Sequence, residues 1–173
     1  MTLLLILPLS TVSCGSSAGG ADTGATRVVA GPGFRFTAPA DWRVTRAPTS
    51  AAARAPGEST TLVSASVYRL GKPYSADDFD AASKELDGVA ARLAQAAGGT
   101  VTSSETITVA GRKVRAYRFS AKPDGGGSYD DRVAFVLAGK REVQLLCQAP
   151  SGAGDPDGAC GLLLDTFSLG GAH

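Results

Sequence analysis

The spacing of apolar and polar residues along the chain predicts several short β-strands and one long α-helix. Residues 33–37 alternate apolar and polar side chains, and a segment rich in β-formers follows at 60–70. Beyond the helical segment the same alternation returns four times, separated by glycine-containing turns. These four predicted strands cover 101–109, 112–121, 129–138 and 142–148. Residues 47–59 are rich in Pro, Ala, Ser and Gly, so we expect a surface loop there.

Residues 75–99 carry the pattern of one amphipathic helix. Ser75 is a suitable N-cap, the acidic residues after it suit the positive end of the helix dipole, and 98–99 is a Gly-Gly stop. A second, short helix is predicted over 159–167. Runs of strands with few helices predict an α+β fold, an antiparallel sheet with one long helix and a short C-terminal helix packed on it.

The extreme N-terminus is an apolar segment too short to cross a membrane as a helix. A spanning helix needs ~20 residues, whereas 1–12 fits the apolar region of a signal peptide. Thr11-Val12-Ser13-Cys14 resembles the bacterial lipobox, although Thr stands where Leu is usual and no Lys or Arg precedes it. We predict a lipoprotein signal peptide over 1–13 and lipid attachment at Cys14, with acyl chains such as palmitate. The alternative is a buried apolar segment with an ordinary cysteine.

The remaining boundaries follow from composition. The stretch after Cys14 is rich in Gly, Ser, Ala and Thr and cannot bury enough apolar surface to fold, so 14–32 is predicted to be a flexible tether. A chain of 173 residues with 43% hydrophobic residues suits one globular domain. We place that domain at 33–169 and a short tail at 170–173.

The cysteine count agrees with export. An exported chain enters an oxidising compartment, and lipidation of Cys14 leaves Cys147 and Cys160 as a pair. We therefore predict a disulfide between them, worth ~3 kcal/mol for a loop of this length. The alternatives are two free buried thiols or a metal site. Zinc sites want four ligands, usually Cys and His, and the only histidine is His173.

Charge and residue types argue against several classes of function. The net charge of +1 gives the chain no strong positive field that would attract nucleic acid. The only histidine is the last residue, which excludes a Ser-His-Asp triad in the domain. Asp130 and Asp131 are adjacent on a predicted strand, so they should point to opposite faces rather than converge. Four basic residues could face anionic lipid headgroups or simply be solvated. They are Arg112, Lys113, Arg115 and Arg118. No catalytic residue, metal site or cofactor is predicted.

One segment carries a family resemblance. Phe34-Arg35-Phe36-Thr37-Ala38-Pro39-Ala40-Asp41-Trp42 resembles the opening of the PsbP-like superfamily, an apolar strand followed by Pro, a small residue, Gly or Asp, and Trp. The order of elements over 33–169 is similar as well. The resemblance implies a PsbP-like sandwich in which Trp42 is structural. It also implies a non-enzymatic binding or accessory role, as in actinobacterial lipoproteins of the LpqN type.

We therefore expect a non-enzymatic binding or accessory module of the cell envelope. It would be lipid-anchored to the extracytoplasmic face of the cell membrane, with an envelope protein or a lipidic ligand as partner and no nucleic acid. The alternatives are an envelope hydrolase with a histidine-free site and a purely structural lipoprotein. An apolar groove without converging carboxylates would favour binding, and two converging titratable groups in a pocket would favour an enzyme.

Overall fold

Nine β-strands and two α-helices form within residues 24–57, 60–122 and 126–170, which the computed structural model describes. Single turns of 3-10 helix at Ala76–Asp78 and Pro156–Gly158 precede the two helices. In chain order the elements are β1 Thr26–Gly31, β2 Phe34–Pro39, β3 Arg43–Ala47, β4 Ser50–Arg54, β5 Leu62–Tyr74, α1 Phe79–Ala96, β6 Thr100–Val109, β7 Arg112–Ala121, β8 Tyr129–Pro150, α2 Ala159–Thr166 and β9 Ser168–Leu169.

The strands form two antiparallel sheets, a larger one of order β3-β4-β5-β8-β7-β6 and a smaller one of order β1-β2-β9. The long β8 folds back on itself, because the Ser151 N–H donates to the Ser128 carbonyl at 3.0 Å and so joins its two ends. The turn lies at Gly139, which has a φ of 55°. The first leg, 129–138, pairs with β7, and the second leg, 140–150, pairs with β5. Each leg corresponds to one of the predicted strands.

Both faces of the larger sheet carry a hydrophobic cluster. One face packs against α2 and the smaller sheet, around Phe36, Trp42 and Leu163. The opposite face packs against α1, where Leu86 and Ala90 meet aromatic side chains of β7 and of the first leg of β8. The α+β sandwich predicted from the sequence is confirmed.

The helix α1 forms where local signals predicted it. Ser75 precedes the first turn, and both its N–H and its hydroxyl donate to the Asp78 carboxylate at 3.0 Å. At the other end Gly98 takes a φ of 74°, a left-handed conformation that costs glycine little. None of the helices in the described part of the chain is long and apolar enough to span a membrane.

Two predicted irregular segments contain strands instead. Residues 26–31, assigned to the flexible tether, form β1, because Val29 pairs with Phe36 and is 0% exposed in the core. Residues 50–54, assigned to a surface loop, form β4, whose Ala51 and Ala53 are buried. Both predictions were wrong: β1 has only one buried side chain, Val29, and the buried side chains of β4 are alanines, so neither strand shows a clear apolar alternation.

Candidate functional site

The structure places the predicted site residues in very different positions. The Cys147 and Cys160 sulfurs form a disulfide with a Cα–Cα distance of 5.5 Å, which joins β8 to α2. Cys14 and His173 lie outside the described residues. Lipid attachment at Cys14 therefore stays a prediction.

Trp42 is a packing residue, as the family resemblance implied. Its side chain is buried between the sheets, and its indole Nε1 donates to the Asp157 carboxylate at 3.1 Å. Its backbone carbonyl accepts a hydrogen bond from the Arg27 guanidinium. Trp42 thus connects β1, the start of β3 and the turn before α2.

The predicted basic strand is divided between two faces of the sheet. Arg115 lies beside α1 and forms an ion pair with Asp87 at 3.1 Å. Tyr117, two residues along on the same face, donates its hydroxyl to the same carboxylate at 2.7 Å. Burial, followed by Asp87, raises the pKa of Tyr117 to about 12. Since Arg118 points to the opposite face, the four basic residues do not form one surface for lipid headgroups.

Asp130 and Asp131 also point to opposite faces, as predicted from their adjacency. Asp130 accepts hydrogen bonds from Ser120 Oγ at 2.8 Å, Ser151 Oγ at 3.1 Å and the Gly152 N–H at 3.2 Å. The bonds from Ser120, Gly152 and Ser151, in that order of strength, hold the pKa of Asp130 below its usual range.

Asp131 has the opposite environment. It is 7% exposed, and its Oδ1 has no hydrogen-bond partner among the described residues. Burial raises the pKa of Asp131 to about 7, and the neighbouring charge of Asp130 acts in the same direction. A buried carboxyl without a donor is uncommon, because leaving such a group unsatisfied costs roughly 1–3 kcal/mol.

Asp131 lines a groove of about 260 Å³ on the α1 side of the larger sheet. The groove exists because α1 packs over β6, β7 and the first leg of β8, leaving the face of β5 and the second leg of β8 uncovered. We call it the α1-side groove. Its apolar members are Leu93, Ala97, Phe119, Val133 and Leu146. Its polar members are Ser64, Ser66, Tyr68, Asp131 and Gln144.

The strand register fixes how these side chains are arranged. Phe119 lies directly opposite Asp131, Ser64 opposite Leu146, and Ser66 opposite Gln144. Tyr68 is 50% exposed at the rim. Asp131 is the only charged side chain among the described residues that line the groove. The arrangement offers an apolar wall, a row of hydroxyl and amide groups, and one buried carboxyl.

Sequence reasoning missed this groove, although part of its signal is visible. Ser64, Ser66 and Tyr68 alternate with buried residues along β5, so that strand shows one polar face toward the helix side. Such a strand in the middle of a sheet indicates that one face is uncovered. The position of α1, which decides where the uncovered part lies, is a tertiary feature.

No group of three His, Cys, Asp or Glu side chains that could hold an ion occurs within 24–57, 60–122 and 126–170.

No protein-family model and no curated protein matches the sequence. Solved structures do match. The cyanobacterial PsbP protein CyanoP from Synechocystis sp. PCC 6803 superposes with a TM-score of 0.59 at 11% identity, over 89% of this chain and 98% of that one. The chain has a PsbP-like fold. The PsbP-like fold predicted from residues 34–42 and the order of elements is thereby confirmed.

Two further structures share the PsbP-like fold. LpqN, described as involved in cell envelope biogenesis of Mycobacterium tuberculosis, matches with a TM-score of 0.52 at 12% identity, over 87% of each chain. A Bacteroides thetaiotaomicron protein matches with a TM-score of 0.53 at 14% identity over 85% of this chain. The chain spans about half of that protein, 48% of its length. Identities this low establish the fold and leave function to the site.

Proposed function

We propose that this chain is a lipid-anchored extracytoplasmic protein that acts as a binding or accessory module of the cell envelope. The α1-side groove is its binding site, and this groove is the observation that carries the proposal. Ligand sites are concave and combine apolar surface with polar groups that fix orientation, and the groove combines the two in equal number. Asp131 is the single acid among the described residues that line it, so the arrangement fits binding better than acid–base chemistry.

Two other observations support the location. A disulfide between Cys147 and Cys160 suits a compartment that is oxidising. LpqN, which has the same fold, is described as involved in cell envelope biogenesis. A diacylated Cys14 would supply two acyl chains, enough for stable attachment to the membrane. The proposal includes that the chain is an actinobacterial lipoprotein of the LpqN type.

Intact-mass analysis of the membrane-extracted protein tests the anchor. We expect a chain that begins at residue 14 and carries the added mass of a lipid, and we expect Cys14→Ser to appear unlipidated outside the membrane fraction. Cys160→Ser is the matched control, because it removes a cysteine without touching the attachment site. An unmodified chain that still begins at Met1 would contradict the anchor.

Photo-crosslinking in cells tests the groove. A photo-reactive amino acid at position 68 lies at the groove rim, and the same amino acid at position 28 is a matched control on the smaller sheet, where Val28 is 63% exposed. We expect a discrete product from position 68, little from position 28, and loss of the product when Leu146→Trp fills the groove. Equal products from both positions, or products that survive the filled groove, would overturn the assignment.

A further inference from the structure

We infer that the α1-side groove binds a protonated amine, with the ammonium beside Asp131 and its hydrocarbon along Leu93, Phe119 and Leu146. This inference rests on the proposed function, since it names the ligand chemistry of the same groove. The two sources of such a group are a free alkylamine and the lysine side chain of a partner protein.

One carboxyl oxygen of Asp131 is unsatisfied within the described part of the chain. Asp131 Oδ1 accepts no hydrogen bond from the described residues, and the side chain is more than nine-tenths buried. The hydroxyl and amide groups of the groove, on Ser64, Ser66 and Gln144, make no hydrogen bond to this oxygen, and the Gln144 amide donates to Glu142 at 2.7 Å. A donor supplied by a ligand would complete the site. An ammonium brings three donors and no acceptor.

The charge of the groove lining favours a cation. The lining side chains of the described groove include no Lys or Arg. Asp131 is therefore the only charged side chain on the described lining, because Asp130 points to the opposite face of the sheet. A cation is attracted there and an anion repelled.

The basic groups near this face are engaged or remote. From β7, Arg115 is held by Asp87, and Arg118 points to the other face. From β4, Arg54 shares the face of Asp131 but lies in register with Leu62, beyond β5, and does not line the groove. The helix α1 contributes only Leu93 and Ala97 to the lining. No basic side chain of the described lining therefore competes with the ligand for Asp131.

The apolar wall of the groove suits a hydrocarbon chain. Leu93, Phe119 and Leu146 provide a surface for a short hydrocarbon, and the half-exposed ring of Tyr68 stands at the entrance. An amine attached to several methylene groups uses the carboxyl and the wall together, which a metal ion or a strongly hydrated cation does not.

The chemistry gives binding a definite pH dependence. The ammonium pairs with ionised Asp131, and alkylamines stay protonated below about pH 10. Since the pKa of Asp131 is about 7, the fraction of the protein in which Asp131 is ionised and can pair with an ammonium is small at pH 6 and nearly complete at pH 8. The apparent affinity should therefore rise about tenfold from pH 6 to pH 8 and then level off.

Nuclear magnetic resonance titration of the ¹⁵N-labelled full chain is the test, with n-hexylammonium, n-hexanol and n-hexanoate as probes. We expect hexylammonium to shift resonances of the groove with a Kd of about 1 mM at pH 8 and about tenfold weaker at pH 6. We expect much weaker binding of hexanol and hexanoate. Nα-acetyl-lysine amide distinguishes the sources, because binding like hexylammonium indicates a lysine side chain and exclusion indicates a free amine.

Two neighbouring substitutions make the test specific. Asp131→Asn keeps the size of the side chain and should abolish the preference for hexylammonium over hexanol and its pH dependence. Asp130→Asn is the matched control and should keep hexylammonium binding, with the midpoint moved to lower pH because a neighbouring charge is lost. The same spectra report whether each variant is folded.

The outcomes separate this inference from the proposed function. Equal binding of hexanol and hexylammonium at both pH values, undiminished binding by Asp131→Asn, or no binding of any probe would overturn the amine. The crosslink from position 68 depends on no charged ligand, so its presence in such a case would leave the groove as a binding site for another chemistry.

Discussion

At the scale of single residues, Asp130 and Asp131 show how strand alternation separates two adjacent carboxyls. Asp130 faces outward beside three donors, from Ser120, Ser151 and Gly152, and its pKa is lowered. Asp131 faces the groove beside Phe119 without a donor to its Oδ1, and burial raises its pKa to about 7. Their sequence environments are nearly the same, so the difference comes entirely from the neighbouring strands.

The raised pKa of Asp131 has a consequence for stability. An unfolded aspartate loses its proton near pH 3.9, whereas folded Asp131 does so at about 7. As pH rises, Asp131 ionises first in the unfolded chain. The contribution of the buried, protonated Asp131 carboxyl to stability is therefore full below about pH 4, falls between about pH 4 and pH 7, and is lost above about pH 7. Asp131→Asn cannot ionise. Its stability relative to wild type should therefore rise by roughly 2 kcal/mol between pH 5 and pH 8.

Thermal unfolding at several pH values measures this difference. A gain of about 4–8 °C in Tm for Asp131→Asn over wild type should develop between pH 5 and pH 8. Asp130→Asn should show no such rise, because the lowered pKa of Asp130 stabilises the folded chain fully above about pH 4, so its loss leaves a nearly constant deficit between pH 5 and pH 8. A pH-independent gap between Asp131→Asn and wild type would show that Asp131 titrates normally.

At the scale of elements, the position of α1 creates the groove. The Asp87 carboxylate on α1 accepts hydrogen bonds from Tyr117 and Arg115 of β7, and Leu86 and Ala90 pack on the same strands. These contacts hold the helix over one half of the sheet. The other half, β5 and the second leg of β8, keeps the polar face that the groove uses.

The Tyr117 hydroxyl should contribute measurably to this docking. Tyr117→Phe removes its 2.7 Å bond to Asp87 and keeps the ring that packs edge-on against Phe135. We expect a loss of about 1 kcal/mol in the free energy of unfolding. The loss is modest because the Asp87 carboxylate remains solvated and keeps its ion pair with Arg115. Urea unfolding measures it, with Ser104→Ala as a control that removes a hydroxyl contact to Arg115 on the exposed side. An unchanged midpoint for Tyr117→Phe would contradict the contribution.

The connection from α1 to β6 depends on one glycine. A Cβ on Gly99 would lie 1.8 Å from the Ser120 carbonyl oxygen, a backbone atom that cannot move aside. Gly99→Ala should therefore lower the free energy of unfolding by more than about 2 kcal/mol. Gly71→Ala is the matched control, since a Cβ there meets nothing within 4 Å. Similar urea midpoints for the two variants would show that the helix can shift without cost.

At the scale of the whole molecule, local signals were enough for some elements and not for others. The helix α1 was predictable because Ser75 and Gly98 mark its ends and its apolar period lies within it. The strand β4 was not, because Ala51 and Ala53 are buried only through contact with a distant layer. The groove was only partly predictable from the sequence. Ser64 and Ser66 mark a polar strand face locally, but the tertiary position of α1 decides which part of the sheet stays open.

The disulfide acts at this largest scale, because it joins the larger sheet to α2 across two layers. Cys147 lies in the second leg of β8, and Cys160 lies in the first turn of α2, 13 residues later. Its loss frees that loop in the unfolded chain, so Cys147→Ala/Cys160→Ala should reduce the free energy of unfolding by about 3 kcal/mol. Denaturant unfolding with and without a reductant measures the effect. Wild type should approach the double variant on reduction, and the double variant should not respond. A wild type that ignores the reductant while remaining more stable would mean that packing of the two side chains, rather than the cross-link, holds α2 against the sheet.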